Sequence, residues 1–442
     1  MNRMVNWRPL VMTAVIALAA GAIAGCGDDE PKGPRNDLAK YDSEVVTSWF
    51  ELALAITKAE ALTPPVASRA FAYQTVALYE AVVPGLETHQ SLAGQLRGLA
   101  SVPQPQPGAG YHWPTVANAA LATVSRHLYS EASSESLDDI NELEASFEAE
   151  FAPIAGASVF ARSVAHGEAI GEAIYDWAFA DGYSQHHNCD YVVPEGSGFW
   201  EPTPPANVAI PLEPCWGQMR NFVLSPASVC EPVGPPPFDD HNPDSPFYLE
   251  MTEVYETCAD LSPEQSNIAQ FWADGAGTIT PPGHWISILN QLTTENEWTL
   301  DVTCEAYAKL GVAMGESFIS CWRAKYIHNF IRPISAIRVV FDNDWLSPIT
   351  TPPFPEYPSG HSTQSFAAAQ VLTDLFGHLP FEDHTHDGSG LASRSFSSFF
   401  AAAEEAAISR LYGGIHFRSA IDDGELQGIC IGEKISALNF LK

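Results

Sequence analysis

An all-α fold of two packed helical bundles, joined by long Pro- and Gly-rich loops, is predicted by three observations on the 442-residue sequence. Apolar residues recur at three- and four-residue intervals over several long segments, which is the period of a helix face rather than of a strand. Alternating β-branched runs of strand length are scarce, whereas alanine, the strongest helix former, is abundant. Between about 183 and 250 the periodicity dissolves into sequence dense in proline and glycine.

The elements follow in order. Helical periodicity marks 43–62, 65–83, 115–129 and 158–180. The stretch from 183 to 250 contains EPTPPANVAIPLEP and EPVGPPPFDDHNPD, whose prolines lack the N–H that a helix needs. So long an irregular segment is expected to wrap the surface or to line a channel. Helical pattern resumes at 262–273, 283–298 and 301–331, a Pro-rich loop covers 347–358, one helix opens near Ser359, and another runs from about 395 to 412. This divides the chain into a leader (1–25), a tether (26–40), an N-terminal bundle with its irregular segment (41–250) and a C-terminal bundle (251–442).

The leader carries Arg3 and Arg8 before an apolar run from Leu10 to Ala24, and closes with Ile23-Ala24-Gly25-Cys26. That run is short against the ~20 residues of a spanning helix, and it resembles a bacterial lipoprotein signal whose cleavage leaves Cys26 for lipidation. An exported protein, lipid-anchored in the bacterial cell envelope, is the expectation. Export permits disulfides. Seven further cysteines (Cys189, Cys215, Cys230, Cys258, Cys304, Cys321, Cys430) leave at least one thiol unpaired, and the three in the irregular segment are the expected participants. None of them falls in a Cys/His zinc pattern.

Charge narrows the function. With 21 Lys+Arg against 54 Asp+Glu, the net charge of −33 argues against nucleic acid and against attraction to anionic lipid. Against that background, three short segments gather cations and histidines: KYIHNFIRP with Lys325, Arg332 and Pro333; YPSGHS with Ser359, Gly360 and His361; and SRLYGGIH with Ser409, Arg410 and His416. Lys325 and Arg332 are seven residues apart, which at ~100° per residue returns to nearly the same helix face. Alone, such a pair reads as a solvated stripe. Ser359 is placed to cap a helix whose N-terminus, opened by Gly360, can bind an oxyanion, although a capped helix with a surface histidine has the same grammar. Arg410 and His416 would diverge on one helix, so a turn at Gly413-Gly414 is expected to swing His416 back. Together the three segments suit one pocket for a tetrahedral oxyanion.

In the order K-x6-RP, PSGH and SR-x5-H, over roughly residues 270–425, the chain resembles the vanadium-dependent haloperoxidases, which share a site plan with acid and lipid phosphatases. The resemblance implies a vanadate (V5+) cofactor, with hydrogen peroxide and halide as substrates and a hypohalous acid equivalent as product. It implies that Lys325, Arg332, Arg410, Ser359 and the Gly360 amide hold the vanadate oxygens. It further implies that His416 binds the metal, that His361 is the acid/base, and that Lys325 also activates peroxide. Trp322 and Phe354 fall where halide-side aromatics lie, and Asp274, in FWADGAGTITPPGHW, is placed to orient Arg410. Some relatives carry an acid four residues after the metal-binding histidine; here that position is Ala420, leaving Asp422 or Asp423 as partner for His416. Iodide or bromide is the expected halide. A phosphatase with His416 as nucleophile, or a noncatalytic phosphate-binding lipoprotein, are the alternatives.

Overall fold

The computed structural model describes residues 36–442, so the leader, most of the tether and Cys26 lie outside the described residues. Its helices are α1 (Glu44–Ala59), α2 (Pro64–Val82), α3 (Trp113–Leu128), α4 (Ser134–Ala155), α5 (Ala157–Phe179), α6 (Tyr183–His186), α7 (Pro246–Ala259), α8 (Pro263–Phe271), α9 (Thr280–Glu295), α10 (Leu300–His328), α11 (Pro333–Val340), α12 (Gly360–Phe376), α13 (Phe399–Tyr412) and α14 (Arg418–Ser436). A two-stranded antiparallel hairpin, β1 (Phe381–Asp383) with β2 (Arg394–Phe396), pairs Phe381 with Phe396 between α12 and α13. The chain is thus essentially all-α.

Periodicity located the helices with a strong apolar stripe and passed over five others, of which α6 is a single turn inside the irregular segment. α4 is acidic and buries little beyond Ile140, Phe147 and Phe151. α11 has only eight residues, α7 begins inside the stretch that proline content marked as irregular, and α14 is interrupted by glycines. Conversely, the pattern over 301–331 overran the helix: α10 stops at His328, where Asn329 takes a left-handed conformation (φ 48°). A short side chain that bonds locally tolerates that conformation better than most.

α10 forms the axis of the fold. It is buried nearly all round, packing α2 on one side and α12 on the other, so residues from both halves of the sequence share one continuous apolar core. α12 and α14 lie unusually close. A Cβ on Gly428 would sit 2.3 Å from the Thr363 carbonyl, and one on Gly424 would sit 2.9 Å from the Ser359 carbonyl. Only glycine permits this approach, and it presses the start of α14 against the start of α12.

The irregular segment is tied down in three ways. Cys189 bonds Cys215, and Cys230 reaches Cys430 on α14, closing a loop of 200 residues; among the described residues Cys258, Cys304 and Cys321 stay unpaired. The Leu212 carbonyl accepts from Trp322 Nε1 (3.2 Å) and from the Tyr326 hydroxyl (2.5 Å), both on α10. Finally, the buried carboxylate of Glu316 on α10 accepts from Asn221 Nδ2 and from the Phe222 and Val223 amides at 2.5–2.7 Å. Glu316→Ala strands these three donors without an acceptor and is expected to destabilise the fold by about 3 kcal/mol. Chemical denaturation of variant and parent checks this; an unchanged midpoint would contradict it.

Candidate active site

Six segments meet around a cavity of about 220 Å³. Asp274 enters from the α8–α9 loop, Trp322 from α10, Phe354 from the Pro-rich loop, Gly360 and His361 from the first turn of α12, Arg410 from the last turn of α13, and His416 from the turn into α14. Leu212 of the irregular segment completes the wall with Leu62, Phe318, Pro352 and Pro353. Lys325, Arg332 and Ser359 do not form the lining; all three are fully buried directly behind it.

Lys325 and Arg332 do not share a helix face. Arg332 lies beyond the end of α10, extended at the entrance to α11 (φ −80°, ψ 151°). A bend therefore brings the two cations together, and both stand over the Phe354 ring, Lys325 Nζ 5.3 Å and Arg332 Cζ 4.9 Å from its centroid. Lys325 Nζ donates to the carbonyls of Pro355 (3.1 Å), Glu356 (2.8 Å) and Pro358 (2.5 Å). Arg332 donates to the Phe354 and Ile415 carbonyls and, through Nη1, to His416 Nε2 at 3.2 Å.

His416 reaches this position because α13 ends at Tyr412 and Gly414 adopts φ 69°. Its Nδ1 lies 2.8 Å from Glu356 Oε1, which also accepts the Phe417 amide. Accepting from Arg332 at Nε2 and donating from Nδ1 defines a neutral imidazole with its Nε2 lone pair free of a proton. Burial, reinforced by Arg332, Lys325 and Arg410, keeps the ring well below the ordinary histidine range.

Two partner assignments change here. Asp422 and Asp423 do not reach His416: Asp423 accepts from the Tyr357 hydroxyl at 2.6 Å, and Asp422 faces Arg418. Glu356, a lone acid in the loop PFPEYPSGH, holds His416 instead, and nothing in that loop's sequence separates it from an ordinary surface acid. Asp274 likewise makes no hydrogen bond to Arg410, whose Nη1 donates to the Trp272 carbonyl at 2.5 Å; Asp274 bonds His284 Nδ1 at 2.8 Å and acts on Arg410 only through space.

At the start of α12, Ser359 Oγ accepts the Ser362 amide, leaving its hydroxyl proton to donate, and Gly360 lies in the first turn, where helix N–H groups lack intrahelical acceptors. His361 bonds the Trp272 carbonyl, and its Nε2 is buried without a protein partner among the described residues. The bonded nitrogen is therefore Nδ1, and burial together with Arg410 holds the ring neutral, well below its usual range.

The electrostatics are those of an anion pocket. Burial pushes Lys325 down to about 7, Arg332 to about 10 and Arg410 to about 9, with Glu356 and Asp274 partly opposing the fall. Burial also raises Glu356, against the pull of Arg332, Lys325 and the Phe417 amide, all of which favour its ionised form. Arg332 Nη2 and Arg410 Nε are buried and bond no protein acceptor among the described residues. Three desolvated cations, two of them (Arg332 and Arg410) with spare donors, are costly unless an anion compensates them.

Known proteins share this chain's sequence pattern and fold. Residues 305–440 match the family model of the VCPO second helical-bundle domain. Vanadium chloroperoxidase of Curvularia inaequalis is 30% identical over 220 residues, with 36% of each chain covered, so the match spans about a third of that protein's length. The crystal structure of a bacterial vanadium-dependent iodoperoxidase superposes with a TM-score of 0.82 at 37% identity, covering 92% of this chain and 97% of that one. A holo-type bacterial vanadium-dependent chloroperoxidase shares the fold at a TM-score of 0.66 and 18% identity, over 86% of this chain and 93% of that one. With the full-length likeness at that level of identity, the chain belongs to the vanadium-dependent haloperoxidase family.

Proposed function

We propose that the protein oxidises iodide or bromide with hydrogen peroxide, using vanadate held at His416. The observation that carries this reading is the pair of buried donors, Arg332 Nη2 and Arg410 Nε, without protein acceptors among the described residues, converging with a neutral His416 whose Nε2 lone pair faces Arg332. A tetrahedral oxyanion fits that donor set. Arg332, Arg410, Lys325, the Ser359 hydroxyl and the Gly360 amide would hold its oxygens, and His416 Nε2 would ligate the metal. When bound, vanadate supplies Lewis acidity toward peroxide.

The chain's own groups supply the rest. His361, proton-free at Nε2 because its other nitrogen is committed to the Trp272 carbonyl, takes up the proton that hydrogen peroxide loses and later returns it. Lys325 presents a localised positive charge to a developing oxyanion. Trp322, Phe354, Phe318 and Leu212 give the halide a poorly hydrated approach. Iodide is favoured because it is the most easily oxidised halide and because the structure aligned over nearly the whole chain is that of an iodoperoxidase.

Purified protein reconstituted with orthovanadate should oxidise iodide and, more slowly, bromide in a peroxide-dependent manner. Equal rates with and without vanadate, or hydrolysis of an aryl phosphate as the dominant activity, would contradict the proposal.

Vanadate affinity should also depend on pH in a defined direction. Lys325 is charged below about 7 and neutral above it, and an anion binds the charged form, so affinity is greatest below that value and declines as pH rises through it. The slope approaches about ten-fold per pH unit at most for one coupled proton. Equilibrium titrations from pH 6 to 9 check this with Lys325→Met as control, which should remove the component due to Lys325; a parent and variant with identical profiles would contradict it.

A further inference from the structure

Behind the cavity wall lies a second buried polar cluster that the proposed reaction does not yet use. His284 on α9 is clamped at both ring nitrogens, Nδ1 to Asp274 Oδ2 at 2.8 Å and Nε2 to Asp383 Oδ2 at 2.7 Å, and all three side chains are fully buried. A ring that donates at both nitrogens is an imidazolium. Burial opposes its charge, yet Asp274 and Asp383 hold it up to about 10. One positive and two negative charges leave the cluster with a net negative charge, and Asp274 Oδ1 has no hydrogen-bond partner among the described residues. His386 stands next to that oxygen: its buried Nε2 is 3.3 Å away, close enough to attract but misaligned for a hydrogen bond.

His386 differs from the rest of the cluster in reaching solvent, its side chain being 13% exposed while Asp274 and His284 are at 0%. At the other end, Asp274 belongs to the cavity wall together with His361. A line of titratable groups therefore runs from solvent through His386 to Asp274 and the cavity, whereas much of the remaining wall is Leu62, Leu212, Phe318, Pro352 and Pro353, which cannot carry protons. The groups facing His386 are Asp274, the His284 ring at 5.0 Å in edge contact, and the Phe271 ring at 5.0 Å, with Asp383 beyond His284; the neighbouring Asp387 is engaged by His384.

The proposed reaction needs such a line. Halide, hydrogen peroxide and one proton give hypohalous acid and water: the halide loses two electrons, the O–O bond accepts them, and one proton is drawn from solvent in every turnover. We propose that His386 is the proton-uptake residue of this enzyme, passing protons from solvent through its ring to Asp274 Oδ1 at the cavity wall, with the Asp383-clamped His284 holding that carboxylate in place. This rests on the haloperoxidase reading. An imidazole carries a proton between its two nitrogens, and a small ring rotation aligns Nε2 with Oδ1. Asp274, His284 and His386 also resemble a metal-ligand set, but protons on both His284 nitrogens already occupy its coordinating directions.

The test uses the full chain with His386→Gln and His386→Phe. In weakly buffered solution with vanadate, kcat for iodide oxidation should fall about ten-fold or more while both KM values hold, and added imidazole should restore it in the variants but not accelerate the parent. In vanadate-free protein, exchange of the His284 ring N–H protons with water, followed by NMR, should slow about ten-fold in His386→Phe. Parent-like kcat in weak buffer, a loss that imidazole does not restore, or unchanged ring-proton exchange would each overturn the relay. So would one tightly held zinc per chain that His386→Gln releases. Absence of vanadate-dependent turnover in the parent would overturn the haloperoxidase reading itself and the relay's catalytic use with it.

Discussion

His416→Ala is expected to abolish halide oxidation, with a loss of about a thousand-fold or more, equivalent to ~4 kcal/mol of barrier. The imidazole is a neutral nitrogen donor placed among the cations, and its orientation is fixed at both ends, by Glu356 Oε1 at Nδ1 and by Arg332 Nη1 at Nε2. Removing it takes away the only proposed direct bond to the metal while leaving Lys325, Arg332 and Arg410 in place. Oxyanion binding should therefore survive, weakened, because charge-assisted donors supply much of it. The pairing of lost turnover with retained vanadate binding distinguishes this role from a structural one. Steady-state iodide oxidation alongside calorimetric vanadate titration measures both, and a variant that keeps a tenth of parental turnover would contradict the assignment.

Glu356→Gln should lower turnover by about 10–100-fold, the range found when a carboxylate behind a metal-binding histidine is replaced. The amide keeps the shape and can still accept from His416 Nδ1 and from the Phe417 amide, so the fold should be spared. What disappears is the negative charge that makes His416 more basic and that partly offsets the desolvation of Lys325 and Arg332. With that counter-charge gone, Lys325 gives up its proton more readily, from a starting point already near 7. The decline of vanadate affinity should accordingly begin at lower pH than in the parent, since the charged lysine is the form that binds. Matched pH profiles in parent and variant, with turnover unaffected, would rule out Glu356 as the residue that tunes this site.

How much of this was legible in the sequence follows from what kind of force places each residue. Helices with an amphipathic stripe, such as α1 and α3, announce themselves through local periodicity. α14 does not, because its close packing on α12 depends on glycines that carry no hydrophobic signal, and α4 is too exposed to show one. The site residues stood out because cations are scarce in this chain and because their spacing matches a known motif order. Their convergence did not arise as spacing suggested: Lys325 and Arg332 meet through the break at Asn329, a conformational choice settled by tertiary contacts with the irregular segment, where the Trp200 amide bonds the Asn329 carbonyl. Glu356, His284, Asp383 and His386 were hidden for a related reason. Each is distant in sequence from its partner, His284 from Asp383 by 99 residues and His416 from Glu356 by 60, and an isolated acid or histidine carries no mark of the charge it will meet.

The central claim is that buried donors from three distant segments enclose one oxyanion with His416 Nε2 as its metal ligand. A crystal structure of the protein grown with orthovanadate tests it most directly. The predicted result is vanadate bonded to His416 Nε2, with Lys325, Arg332, Arg410, Ser359 and the Gly360 amide on its oxygens and His361 beside it. Vanadate bound elsewhere, or seated in the cavity without a bond to His416, would contradict it.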